Sequence, residues 1–269
     1  MTSSPLGLTD KSDGSKRRIH HLSFPANDSL SINSGIPEEY GTIVYSRISE
    51  AISSIQRLGR GSILVKRDFE NAFRHIPISP AESPLLGLEW QGRYYAEHFL
   101  PFGLGTPAYL FNLFAAVFHC IVAHDLQSRG IRGEIVHYLD DFLAILPPHG
   151  NPDAYGKRFA ELCGTVGLSI KESISEEGTT VGVGGVEIDT GKIVIRVPAK
   201  KLWKAGAIIQ LASNQNSLSQ PELQALTGYL NFAAILTPRG RTFLRRLYNM
   251  KIYFPARGPQ CRRRLSMEV

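Results

Sequence analysis

Two adjacent carboxylates, Asp140 and Asp141, stand between two short apolar runs, Glu134 to Tyr138 and Phe142 to Leu146. A third, Asp68, closes another apolar run that begins at Ser62. Runs this short and this apolar read as strands, and the first two read as a β-hairpin with the acidic pair at its turn. Carboxylates are costly to gather at strand ends, because like charges a few ångströms apart repel and raise each other's pKa. A divalent cation removes that penalty, and hard oxygen ligands suit Mg²⁺ or Mn²⁺. Asp-Asp is also a common solvated turn, since turns favour Asp for local hydrogen bonding. The pair by itself leaves both readings open.

The remaining composition narrows the class. The chain has 269 residues, 43% hydrophobic and 20% charged, which fits a soluble globular protein and excludes wholesale disorder, collagen, coiled coil and a disulfide scaffold. Its net charge of +6 is compatible with a polyanionic partner. Cys120, Cys163 and Cys261 are widely spaced with no CxxC pair, which argues against a structural zinc site and for a reducing compartment. The start is polar, without a signal core, and the most apolar stretch, Tyr109 to Ala123, is short for a membrane span. An intracellular protein, cytoplasmic or nuclear, is expected.

Periodicity supplies the other elements. One strand is expected around Arg18 to Leu22, a helix over 44–58, and a hairpin over 87–99 turning near Gly92. Helices are expected over 107–126 and 152–166, followed by two short strands within 179–197 that turn at Asp189 to Lys192. Beyond Pro198 the pattern is helical (200–212, 220–236, 239–250), and the tail from Pro255 reads as basic and irregular. Trp90, Tyr94 and Tyr95 are expected in a sheet core, and Arg262 to Arg264 in the structureless tail.

In this setting the chain resembles the reverse transcriptase family. Tyr138-Leu139-Asp140-Asp141 is similar to its Tyr-x-Asp-Asp box, and Asp68-Phe69-Glu70-Asn71-Ala72-Phe73 to its first acidic motif. Leu100 to Pro107 resembles the Leu-Pro-x-Gly segment, Lys11 to Pro25 the basic fingers segment, and Val183 to Thr190 the primer grip. Each motif alone is common; five in order are specific. The resemblance runs from about Ser4 to Met250, and the helical stretch from Leu218 to Leu247 is most like retrotransposons of the DIRS or LTR type.

The resemblance implies an α+β right-hand polymerase fold, with fingers and palm over 1–198, a helical thumb-like region over 199–254 and a tail over 255–269. It implies an RNA-directed DNA polymerase that adds deoxynucleotides to a primer on an RNA or DNA template, using two Mg²⁺ ions, with Mn²⁺ as a substitute. Asp68 and Asp140 would hold both metals with the Phe69 carbonyl, and Asp141 would be a less direct third carboxylate. Lys11 and Arg17 would touch the triphosphate, although Lys16, Arg17 and Arg18 are consecutive and any of them is a candidate. Phe73 would exclude a ribose 2′-OH or would simply be core. Phe102 and Gly103 would lie beside the nascent base pair, and Tyr138 and Gly185 would contact the primer.

Two positions depart from the pattern. Ile174 occupies the place of a Lys that the family usually has, with Lys171 three residues earlier, and Gly184 precedes Gly185 where a large apolar residue is usual. Ribonuclease H, integrase and recombinase segments are not seen, and the basic end reads as truncation or readthrough. The alternative reading is therefore a catalytically decayed retroelement fragment that keeps the fold and binds nucleic acid without polymerising.

Overall fold

The structure is a computed structural model that describes residues 3–11, 14–25, 30–43, 48–215, 217–234, 236–237, 239–252 and 262–264. The chain divides into two units, Met1–Gly184 and Gly185–Val269. The strands from Val186 to Arg196 group with the helices that follow them.

The first unit runs β1 (Leu6–Asp10), β2 (Lys16–His20), α1 (Ile48–Leu58), β3 (Ile63–Asp68), β4 (Gly87–Trp90), β5 (Arg93–Ala96), α2 (Pro107–Ser128), β6 (Glu134–Tyr138), β7 (Asp141–Leu146), α3 (Pro152–Val166), β8 (Glu176–Gly178) and β9 (Thr180–Val183). Its main sheet has the order β6-β7-β3-β8, and the β6–β7, β7–β3 and β3–β8 pairs are all antiparallel. In β7, Phe142 to Leu146 are all buried, as a central strand covered on both faces requires. α2 and α3 cover the face that carries Phe142, Ala144 and Leu146, and α1 packs against β6 and β7. Phe111, Ala115, Phe118 and Val122 point inward from α2, and Tyr155, Phe159 and Leu162 from α3. α2 is also long and apolar enough to cross a bilayer by length and composition alone.

Local chemistry sets the ends of α3. The Asn151 side chain accepts from the Ala154 N–H, Pro152 occupies the first turn, and Gly167 closes the helix at φ 75°. The β4–β5 hairpin turns through Gln91 (φ 51°) and Gly92 (φ 72°), the two positive φ values that a tight hairpin favours.

The second unit contains β10 (Val186–Asp189), β11 (Val194–Arg196), α4 (Ala199–Gln215), β12 (Ser217–Ser219), α5 (Gln220–Ala233), α6 (Gly240–Ile252) and β13 (Arg262–Arg264). Leu218, Leu223, Leu226, Leu244 and Leu247 form its core. Ser219 and Glu222 make a reciprocal capping box at the start of α5.

Several expectations need correction. The amino-terminal region carries two paired strands, β1 and β2, rather than one. The 179–197 segment holds three strands rather than two, because Gly184 (φ 55°) and Gly185 (φ 84°) form a turn of their own. Arg262–Arg264 is not irregular: it pairs antiparallel with β12, which also interrupts the expected all-helical stretch. Trp90, Tyr94 and Tyr95 are 58%, 65% and 47% exposed, not in a sheet core. Residues 44–47 of the expected first helix, Cys261 and most of the tail lie outside the described residues.

Candidate active site

The site is built on the carboxyl end of β3 and the β6–β7 turn. Register places Asp68 opposite Asp141, and Tyr138 opposite Asp141 across the hairpin. Asp140 lies in the two-residue turn beside Leu139, whose φ of 56° is the left-handed region. A non-glycine residue there costs about 1–2 kcal/mol, a strain held at the position that projects the acidic pair.

Two of the three carboxylates, Asp68 and Asp141, are each followed by a buried ring. Phe69, next to Asp68, lies flat against Phe159 at 6.1 Å and contacts Phe111, Phe118 and Phe142. Phe142, next to Asp141, is fully buried in the same cluster. Backbone bonds from Lys171 N–H to the Asp68 carbonyl (2.7 Å) and from Glu70 N–H to the Ser169 carbonyl (2.8 Å) lay the 169–171 segment beside the first acidic motif.

The electrostatics follow from this crowding. Burial, then the charges of Asp140 and Asp141, push the Asp68 carboxyl up to about 7, while Lys66 and Lys171 oppose the shift. Burial also raises Asp140, offset in part by its own backbone N–H, Arg17 and a hydrogen bond with Asp68. Burial raises Asp141 too, but Lys66 stands against it with Nζ 3.5 Å from Oδ1. The carboxyls that converge are thus Asp68 and Asp140, with Asp141 turned to Lys66. Among the described residues no group of three or more His, Cys, Asp or Glu side chains is gathered to hold a metal. The Asp68–Asp140 pair, desolvated and held above the usual carboxylate range, fits a divalent cation that would remove its repulsion.

A cleft of about 400 Å³ opens over this pair, lined by Asp68, Phe69, Phe73, Phe102 and Asp140, with Lys11, Arg17 and Lys171. The Arg17 guanidinium stacks 4.4 Å above the Phe102 ring, and Phe102 meets Phe73 at 5.2 Å. That ladder of cation and rings holds a charged group over the cleft at little entropic cost. Phe73 is half-buried, packing on Phe111 at 6.2 Å while also facing the cleft. Gly103 has φ 109°, and a Cβ there would lie 1.9 Å from the His20 carbonyl oxygen. Its smallness serves the close approach of β2, whose His20 N–H donates to the Phe102 carbonyl at 2.8 Å. Tyr138 stands at the end of β6 and is 40% exposed.

Gly185 belongs to the second unit. A Cβ there would meet Lys201 Nζ at 2.2 Å and the Phe232 ring at 2.8 Å. Lys201 donates to the Gly185 carbonyl at 3.1 Å and caps the Phe232 ring at 3.7 Å, so close packing requires glycine at this place.

Sequence reasoning missed three features near the site. Lys171 reaches the cleft, whereas the family resemblance puts the usual Lys at Ile174, three residues later, and the sequence does not show which of the two positions faces the site. Glu97, inside an aromatic run, is 4% exposed and pairs with both Arg18 and Arg74. His119 and His137 meet across α2 and β6 with Nδ1 atoms 2.9 Å apart. Nothing in the linear sequence links these groups.

No family model matches the chain, and no curated protein matches it. Solved structures do. The chain is similar to a foamy viral protease-reverse transcriptase in complex with double-stranded DNA, with a TM-score of 0.65 and 18% identity over 92% of this chain and 38% of that one. A foamy viral protease-reverse transcriptase bound to an RNA/DNA hybrid gives 0.64 and 18% over 93% of this chain and 30% of that one. Another, with double-stranded DNA, gives 0.64 and 19% over 92% and 46%. The fold is reverse transcriptase-like. It is α+β, with antiparallel sheets. The chain spans less than half the length of these structures.

Proposed function

We propose that the chain is a nucleotidyltransferase, an RNA-directed DNA polymerase that extends a primer on an RNA or DNA template. The observation that carries this reading is one cleft with three chemistries: the Asp68–Asp140 pair, the opposing cations Lys11 and Arg17, and the Phe73 ring. The assignment of fingers and palm to 1–198 and of a thumb to 199–254 is part of the same proposal. Asp68 and Asp140, with the Phe69 carbonyl, would hold two Mg²⁺ or Mn²⁺ ions, and Asp141 would support them from beside Lys66. Such ions, when bound, stabilise the charge on the oxygens of an in-line phosphoryl transfer. Lys11 and Arg17 would hold the triphosphate of a deoxynucleotide, Arg17 with the bidentate geometry that suits phosphate. Phe73 would pack under the sugar, Phe102 and Gly103 would border the base pair, and Tyr138 and Gly185 would meet the primer.

The test is primer extension by the purified chain on homopolymer RNA and DNA templates with Mg²⁺ and with Mn²⁺. Extension is expected from the wild type, and Asp140→Asn should abolish it while template binding stays nearly intact. A second reading, nucleic-acid binding without polymerisation, is favoured by Ile174 at the position of the family's usual Lys. Template binding without extension in either metal would decide for it.

A further inference from the structure

Glu97 is a buried carboxylate shared by two guanidiniums. Its Oε1 accepts from Arg18 Nη2 and its Oε2 from Arg74 Nη1, each at 2.7 Å, and the carboxylate is 5% exposed. One guanidinium would neutralise it; two leave an uncompensated positive charge. That charge faces a pocket of about 300 Å³ lined by Lys11, Lys16, Arg17, Arg18 and Arg74. Lys16 is partly engaged by Asp10 on the exposed β1–β2 ladder. Within this lining, Glu97 is the sole carboxylate set against the cations. The pocket shares Lys11, Arg17, Asn71 and Phe102 with the cleft that holds Asp68 and Asp140, so the two are continuous. Arg18 and Arg74 are 47% and 33% exposed, and a guanidinium has more N–H donors than the one or two bonds each makes here.

We propose that Arg18 and Arg74, held by Glu97, form a second row of polyphosphate contacts beside Lys11 and Arg17. The ligand is the polyphosphate end of a nucleoside triphosphate, which would run from the carboxylate pair into this pocket. This rests on the nucleotide-binding reading above: it adds Arg18 to Arg17 rather than replacing it, and extends the contacts to Arg74 and Glu97, outside the motifs that suggested that reading. Glu97 is a positioning residue: it touches no ligand, and it fixes two otherwise mobile side chains before the ligand arrives, which lowers the ordering cost of binding. Arg18 projects from β2 and Arg74 from the segment after Phe73, so the bridge also ties the cationic hairpin to the first acidic motif.

Arginine-specific labelling of the full chain with phenylglyoxal, read by peptide mass spectrometry, tests this without any variant. Inorganic tripolyphosphate should lower labelling of Arg17, Arg18 and Arg74 several-fold and leave Arg93, on the β4–β5 hairpin, unchanged. Protection of Arg17 alone would overturn the proposal and leave the nucleotide reading standing. Protection of none of the three would overturn both. Protection by a short oligothymidylate but not by tripolyphosphate would overturn the proposal and assign the two arginines to a nucleic-acid backbone. Arg74→Gln, checked for native melting, should weaken tripolyphosphate binding about tenfold, as loss of a charge-assisted phosphate contact implies. Unchanged affinity in a folded Arg74→Gln chain would make Arg74 only a counterion for Glu97 and overturn the proposal.

Discussion

Asp68 and Asp141 are cross-strand partners, the last residue of β3 opposite the first of β7. Directly opposed like charges destabilise a sheet, and here a third carboxylate, Asp140, adds to them from the turn. Lys66, two residues before Asp68 on the same face, offsets one of the three. The remaining pair is only partly offset, by Lys66, Lys171 and Arg17, and keeps an electrostatic cost at the edge of a well-packed core that a bound cation would relieve.

That cost has a pH signature. The Asp68 carboxyl is raised to about 7 in the fold, so its contribution to stability is full below the ordinary carboxylate range and is lost as pH rises through 7. A divalent cation should restore what is lost. The increase in Tm on adding Mg²⁺ or Mn²⁺ is expected to be small at pH 5.5 and larger at pH 8. It should be much reduced in Asp68→Asn; an equal rise at both pH values would rule out cation binding at this pair.

Phe73 faces the cleft and packs on Phe102 and Phe111 at once. As a steric barrier its ring repels a ribose 2′-OH and is nearly neutral toward deoxyribose. Phe73→Val should therefore admit ribonucleotides far better while retaining part of the deoxynucleotide incorporation. Truncation of a fully buried Phe costs about 3–5 kcal/mol, and this half-buried ring should cost less. An unchanged ratio of the two sugars, with a lower Tm, would make Phe73 a packing residue only.

Gly103 is constrained twice, by φ 109° and by the His20 carbonyl 1.9 Å from where a Cβ would stand. Strained backbone alone costs about 1–3 kcal/mol, and the clash would push β2, with Arg17, away from Phe102. Gly103→Ala should lower Tm by several degrees and weaken nucleotide binding together. Gly92→Asn, in an open turn at φ 72°, should change neither. Thermal melts of the two variants make the comparison.

His119 and His137 share one hydrogen bond between Nδ1 atoms, so one ring must be a neutral acceptor. Burial lowers both; the neighbouring His137 and His119 positions lie near Glu50, which opposes the shift, and His119 further lowers His137. For a base with a lowered folded pKa, the stabilising contribution is present above about 6.5 and is lost as pH falls. Between pH 7.5 and pH 5 this loss opposes the gain from Asp68, so it is read by difference. The denaturant midpoint of His119→Gln combined with His137→Gln should shift less unfavourably on acidification than that of the wild type, and His20, which burial also lowers, still contributes in both.

The strands that carry Asp68, Asp140 and Asp141 were readable from the sequence, because a buried central strand must be continuously apolar and its carboxylate ends interrupt that run abruptly. α3 was readable to the residue, since Asn151, Pro152 and Gly167 are local signals that act through adjacent backbone groups. The Gly184-Gly185 turn, which splits the expected pair of strands into three, was not legible, because a glycine pair has the same composition whether φ is negative or positive. Trp90, Tyr94 and Tyr95 were misassigned to a core because ring-rich alternation does not say which face of a hairpin another layer will cover.

By itself, then, the sequence determined the local elements, the helix ends and the acidic motifs, all properties of neighbours in the chain. Only tertiary structure decided that Asp68 and Asp140 line one cleft while Asp141 stands against Lys66, and that Lys171 reaches that cleft. It also brought Glu97 between Arg18 and Arg74, which lie 79 and 23 residues before it in the chain. Such groups meet because sheet register and core packing bring distant segments within a few ångströms, and charge interactions that strong at short range leave no pattern along the chain.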